Sequence, residues 1–177
     1  MRLVRSLGML TIAIGLIAAC ASPSGTARPG GDTPIAVQNA NTSAQLLRFD
    51  AKTVDGKDFS GQSLAGKPAV LWFWAPWCPT CQGEAPAIGR IAHANPAVTF
   101  VGVAAEDQVP AMRDFISKYQ LGFFTNLADV DASVWQRFGV TAQPAFAFIS
   151  AAGSVNVVKS HLAEQDLAQR VGTLAAA

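Results

Sequence analysis

The chain has 177 residues, 13 Lys and Arg against 12 Asp and Glu, half of them apolar and only 14% charged. That is ample chain for one domain with a real core and too apolar for a disordered protein. A formal charge of +1 lacks the basic surplus of a nucleic-acid binder, and three cysteines are too few for a disulfide-stapled miniprotein. The odd cysteine count asks for at least one cysteine with a separate task.

Arg2 and Arg5 precede an apolar run from Leu7 to Ala19 that ends at Cys20. A basic start, a short apolar stretch and small residues at its end form an export signal, and the run is too short for a transmembrane helix of about 20 residues. Leu16-Ile17-Ala18-Ala19-Cys20 resembles the bacterial lipobox, which implies cleavage before Cys20 and lipid on its sulfur. Each buried methylene contributes about 0.8 kcal/mol, so more than one acyl chain anchors stably. An ordinary signal with Cys20 incidental is the alternative. Loss of residues 1–19 removes Arg2 and Arg5, leaving 11 basic and 12 acidic side chains and a net charge of −1. Residues 20–44 then comprise the lipidated cysteine and a Pro, Gly, Ser, Thr and Asn-rich tether. As flexible coil its last 24 residues span about 25–30 Å. A structured arm is the alternative.

Residues 45–177 read as one domain. Residues 46–54 alternate as a strand, Asp55-Gly56 signals a hairpin turn, and a short strand follows near Asp58-Phe59. The continuous apolar run AVLWFW, residues 69–74, suggests a central strand buried on both faces. A helix is expected from the CPTC segment to about Ala94, a second buried strand over 98–104, and a helix over 109–119 with Met112, Phe115 and Ile116 on one side. Phe123-Phe124 opens a short strand or turn, and 131–138 form a short helix. PAFAFIS, residues 144–150, is a strand that Gly153 turns into an antiparallel partner, and a closing helix fits 163–175. The order predicts an α/β fold: a βαβ unit joined to a ββα unit, giving a mixed sheet with helices on both faces and an N-terminal hairpin extension.

The first central strand runs into WFWAPWCPTCQGEAP, which places Cys78 and Cys81 as C-x-x-C at a strand-to-helix junction. Unpaired N–H groups and the dipole of the first turn favour negative charge there. They lower a thiol pKa below its free value of about 8.5. Cys78 is therefore expected as an exposed nucleophile and Cys81, one turn inward, as a buried resolving thiol. A zinc site needs four ligands, and with Cys20 lipidated only His93 and His161 remain as soft donors, so no metal site is expected. A structural disulfide is an alternative that fits poorly with a helix start between prolines and tryptophans. A peroxidase of the peroxiredoxin kind wants Thr where Ala75 stands.

On FWAPWCPTC the domain resembles the thioredoxin superfamily, and within it the extracytoplasmic TlpA/DsbE branch and the actinobacterial DsbE/DsbF lipoproteins. The resemblance implies a thioredoxin-like fold, a Cys78–Cys81 redox disulfide and no cofactor. Glu84 matches the acidic residue of that branch, Pro86 the proline inside the active-site helix, and Pro144 after Gln143 the family's cis-proline. Glu84 lies one turn from Cys81 on the same face, where a carboxyl could shuttle the proton of Cys81; a surface acid complementing the dipole is the plainer alternative. Free backbone groups at Gln143 could pair with an extended substrate. Trp77 is expected to cover the nucleophile or simply to pack, and Pro79 and Thr80 to meet substrate. Trp72 stands where thioredoxin carries a buried Asp, which moves any proton relay onto Glu84 or water. His93 and His161 receive no role.

The resemblance implies an anchored, monomeric thiol:disulfide oxidoreductase outside the cytoplasm. Its partners would be exported proteins with thiols or disulfides and a membrane redox protein of the DsbD/CcdA or VKOR kind. Oxidation or disulfide exchange is favoured, since Pro79-Thr80 brings no cation to depress the Cys78 pKa strongly. A reductant for cytochrome c maturation is the alternative. A non-enzymatic metal or haem chaperone is the alternative of another class, against which C-x-x-C spacing speaks.

Overall fold

A computed structural model describes residues 43–176. The signal, Cys20 and most of the tether lie outside the described residues. The elements are β1 (Asp50–Lys52), β2 (Asp58–Ser60), β3 (Ala69–Trp74), α1 (Pro79–Ala94), β4 (Thr99–Ala104), α2 (Val109–Lys118), β5 (Thr125–Ala128), α3 (Ser133–Arg137), β6 (Ala145–Ile149), β7 (Val155–Val158) and α4 (Glu164–Ala175). A 3-10 turn, Gly61–Leu64, links β2 to β3.

Five strands form the main sheet in the order β5-β4-β3-β6-β7. β3, β4 and β5 run parallel, whereas β6 is antiparallel to β3 and β7 to β6. The three parallel strands step across the sheet in one direction. Right-handed crossovers therefore carry α1 and α2 over the same face. There Val70, Trp72 and Trp74 of β3 meet Ile88 and Ile91 of α1 and Met112 and Phe115 of α2, with Leu167 and Val171 of α4. The alternate residues Leu71 and Phe73 point to the other face. They pack with Val134 and Trp135 of α3, and with Leu47, Phe49 and Leu64 from the N-terminal segment. All six residues of β3 are buried, as the unbroken apolar run implied.

β1 and β2 pair antiparallel as a separate hairpin around Gly56, whose φ of +82° needs glycine. Its turn rests on the β5 edge: Val54 N–H donates to Asn126 O at 2.9 Å, and Thr53 bridges Leu127. Arg113 Nε also donates to Val54 O at 2.9 Å. The exposed edge of the sheet is thereby covered.

The expected strand over 46–54 is shorter. Residues 43–46 form a helical turn with Ser43 buried, so ordered structure starts before Gln45. The N–H groups of Arg48 and Phe49 bond locally to Gln45 O and Leu47 O, which leaves only Asp50–Lys52 for the ladder. Leu47 and Phe49 still point into the core; the alternation was real but was not that of a strand. α3 is also shorter than 131–138. Buried Asp129 accepts the N–H groups of Val134 and Trp135 at 3.0 and 2.9 Å and so fixes its start.

Gly102 in β4 is confined by neighbours from both sides. A Cβ there would lie 2.9 Å from Trp74 Nε1 and closer still to Asn126 Oδ1. Asn126 cannot yield freely, because its Nδ2 donates to Leu121 O and Phe124 O, both at 3.0 Å. Gly102→Ala is expected to cost about 1–3 kcal/mol, as overpacked cores do. Thermal and denaturant unfolding measure it, and an unchanged midpoint contradicts this packing.

Candidate active site

The β3–α1 junction places the reactive pair. β3 ends at Trp74, Cys78 N–H donates to Ala75 O at 3.2 Å, and α1 starts with Pro79 at its first position. Proline suits that position because its missing N–H would have had no helical partner. Cys78 is the N-cap: its backbone is extended, and its Sγ accepts the Cys81 N–H at 3.1 Å. Sulfur thus takes the capping role usually filled by Ser, Thr, Asp or Asn. No acidic side chain occupies the first turn, so its N–H groups and dipole act on Cys78 without competition.

Cys78 and Cys81 form a disulfide with Cα atoms 5.3 Å apart. Cys81 is fully buried, as expected of a resolving thiol, but the expectation of an exposed Cys78 fails: it is only 4% exposed. Its sulfur is turned onto the first helical turn to accept the Cys81 N–H instead of pointing into water. Attack must therefore reach a residue that shows little surface to water.

Around the pair the structure offers exposed and half-buried surfaces. Pro79 and Thr80 are exposed on the first turn. Trp77 is 53% exposed, and its Nε1 donates to Glu106 O at 3.0 Å. It is pinned across to the loop after β4, where Glu106 has a positive φ of 59°. Cis-Pro144 is buried and Gln143 half-buried. β6 pairs with β3 in the register Phe73↔Ala145. Pro144 therefore falls opposite Trp74, at the same end of the sheet from which the cysteine loop leaves. A cavity of about 660 Å³ lies elsewhere, lined by Thr53, Arg113, Phe124 and Asn126.

Glu84 is not a surface acid. It lies on α1 with 5% exposure, and each oxygen is held. Oε2 accepts Trp72 Nε1–H at 3.3 Å; Oε1 accepts Leu162 N–H at 3.2 Å and meets His161 Nδ1 at 2.5 Å. Burial pushes the carboxyl above its ordinary range, against the lowering effects of His161, Leu162 and Trp72. Trp72 in place of an aspartate is thereby explained: the strand supplies a donor and the helix supplies the acid. His161, given no role from sequence, touches this acid across 77 positions, a contact with no local signature. His93 has an ordinary helical setting, with Nδ1 3.2 Å from Gly89 O and its ring against Phe123. Among the described residues no cluster of three or more His, Cys, Asp or Glu is placed to hold a metal ion.

Comparison with known proteins accords with this geometry. A model described as Redoxin matches residues 36–173. The soluble secreted antigen MPT53 of Mycobacterium tuberculosis is 50% identical over 133 residues, covering 73% of this chain and 76% of that protein. The thiol:disulfide interchange protein DsbE of Pseudomonas fluorescens is 29% identical over 108 residues, 60% of each chain. The solved structure of MTB dsbF in its mixed oxidized and reduced forms has a TM-score of 0.72 at 60% identity, covering 73% of this chain and 97% of that one. A secreted Mycobacterium tuberculosis disulfide oxidoreductase homologous to E. coli DsbE has a TM-score of 0.70 at 50% identity, covering 73% and 98%. The chain belongs to the redoxin family, with a thioredoxin-like fold and a redox-type disulfide at the start of its first long helix.

Proposed function

We propose that the chain is an extracytoplasmic thiol:disulfide oxidoreductase that works on exported proteins through Cys78 and Cys81. The observation that carries this is the Cys78–Cys81 disulfide capping α1 at the end of the sheet where cis-Pro144 also lies. In the oxidising direction a substrate thiolate attacks the Cys78 sulfur, the Cys78–Cys81 bond breaks, and Cys81 leaves as thiolate and takes a proton. A second substrate thiolate then attacks its own mixed disulfide and releases reduced Cys78. Two electrons pass from two substrate thiols to the pair. In reverse, Cys78 thiolate attacks a substrate disulfide and Cys81 resolves the intermediate. Glu84 is assigned the proton that Cys81 gains or loses. Trp77, Pro79, Thr80 and Gln143 are assigned to substrate contact, with Pro144 shaping the end of β6 beside them.

Oxidation or exchange is the favoured direction, and the protein acts as a monomer served by a membrane redox partner: a re-oxidant of the VKOR kind in this direction, an electron donor of the DsbD/CcdA kind in the reverse one. Reduction in cytochrome c maturation is the second reading, and the similarity to DsbE proteins supports it. The anchor rests on the sequence alone: Leu16 to Cys20 forms the lipobox, and the tether lets the domain reach substrates near the membrane. Among the described residues no helix is long and apolar enough to cross a membrane.

Two experiments test this reading. Cys81→Ser should accumulate mixed disulfides with exported proteins on non-reducing gels, whereas Cys78→Ser should form none. Full activity of Cys78→Ser on a reduced protein substrate contradicts the assigned nucleophile. Metabolic labelling with palmitate in a bacterial host should mark the wild type and not Cys20→Ala. An unlabelled wild type, or a labelled Cys20→Ala, removes the anchor.

A further inference from the structure

The carboxyl of Glu84 is enclosed by three elements: α1 that carries it, β3 through the Trp72 indole, and the segment between β7 and α4 through His161 and Leu162. A carboxylate has about four acceptor sites. Two on Oε1 meet His161 and Leu162, and one on Oε2 takes Trp72. One site on Oε2 is left, and Glu84 follows Cys81 by one helical turn on the same face of α1. The two ends of this chain differ sharply in solvent access: the Glu84 side chain is 4% exposed and that of His161 57%. Imidazole has two ring nitrogens that can each carry a proton. Here Nδ1 touches the buried acid, and more than half of the side chain lies in water.

We propose that His161 is the proton gate of Glu84, a positioning residue that holds the carboxyl in place and passes protons between this buried acid and solvent whenever Cys81 reacts. The inference rests on the assignment of Glu84 to the Cys81 proton. When the reduced protein acts on a disulfide, Cys78 thiolate bonds to one sulfur and expels the other. Cys81 S–H gives its proton to the Glu84 carboxylate, and its sulfur attacks Cys78 and expels the second thiolate. The Glu84 proton passes to His161 Nδ1 while the opposite nitrogen releases one to water; the expelled thiolates take up protons from water. Two electrons leave the cysteines and one proton, that of Cys81, leaves the protein, because Cys78 enters the reaction as a thiolate. The reverse path carries protons inward.

Burial raises the proton affinity of Glu84, which suits an acid that must accept a thiol proton, and His161 Nδ1 lies within hydrogen-bond reach of its Oε1. The charged groups on the surrounding elements are few. α1 contributes Arg90, which pairs with Glu164 of α4 at 2.7 Å. α4 further carries Asp166, and Arg170 lies over the Phe148 ring. The segment after β7 carries Lys159, which lies against Gly139. β3 and β6 contribute no charge.

Single-turnover oxidation of the reduced full chain by oxidised glutathione, quenched in acid and read by mass spectrometry, separates the two steps. Decay of the dithiol reports attack by Cys78, and decay of the glutathione mixed disulfide reports attack by Cys81. His161→Asn keeps an N–H donor beside Glu84 but cannot relay a proton. It should slow the second step about tenfold near neutral pH, less than the roughly hundredfold or more that a group acting directly on the reacting proton contributes. It should also flatten the pH profile of that step and leave the first step and the thermal midpoint near wild type. In His161→Gly, added imidazole should restore the second step. Glu84→Gln should slow the same step, with no further loss on adding His161→Asn. A wild-type second step in His161→Asn, while Glu84→Gln is slow, overturns the gate and leaves the relay standing. A wild-type second step in Glu84→Gln overturns the relay and the gate with it.

Discussion

Helix α1 begins on a sulfur, and the chemistry of the molecule follows from that one contact. An N-terminal helical turn has N–H groups without partners and a positive dipole end. In most helices a hydroxyl or carboxylate satisfies them; here Cys78 Sγ receives the Cys81 N–H. The same donors that cap the disulfide sulfur stabilise a thiolate once the bond opens. Proline at the next position adds no competing donor and presets the turn. The rest of the fold holds this turn in place: β3 is buried on both faces, and α1 lies against its two tryptophans.

Charge is handled separately at the two cysteines. Cys78 has the helix end, and Cys81, buried in the apolar cluster, has no such help for its anion. Glu84 is the nearest acid along the helix, and its environment is built from three distant parts of the sequence. Trp72 comes from the central strand and His161 and Leu162 from the segment before α4. A buried carboxyl is costly unless its lone pairs are occupied. Three hydrogen-bond contacts make this one tolerable.

Much of this was legible in the sequence because it is local. The unbroken run at 69–74, the C-x-x-C at its end and the helical spacing of 109–119 each report their own surroundings. Pro79 takes the first helical position, where a missing N–H costs nothing, and Pro144 takes the cis bond. What escaped depended on distant partners or on side-chain direction. The alternation at 46–54 identified inward residues but not that local N–H bonds would close the first part into a turn. Cys78 was placed correctly, yet its sulfur folds onto the helix and is covered. Asp129 and His161 carry no motif; each acquires its role only when the sheet brings another element alongside.

The central claim is that Cys78–Cys81 is a reversible redox couple and not a staple. Equilibrating the purified chain in glutathione buffers of graded potential, and counting alkylated thiols at the two positions, tests it directly. The account predicts one two-electron transition at a potential above about −250 mV, in the range of oxidising and exchanging dithiols. A disulfide that stays closed down to below about −300 mV, as structural disulfides do, contradicts it.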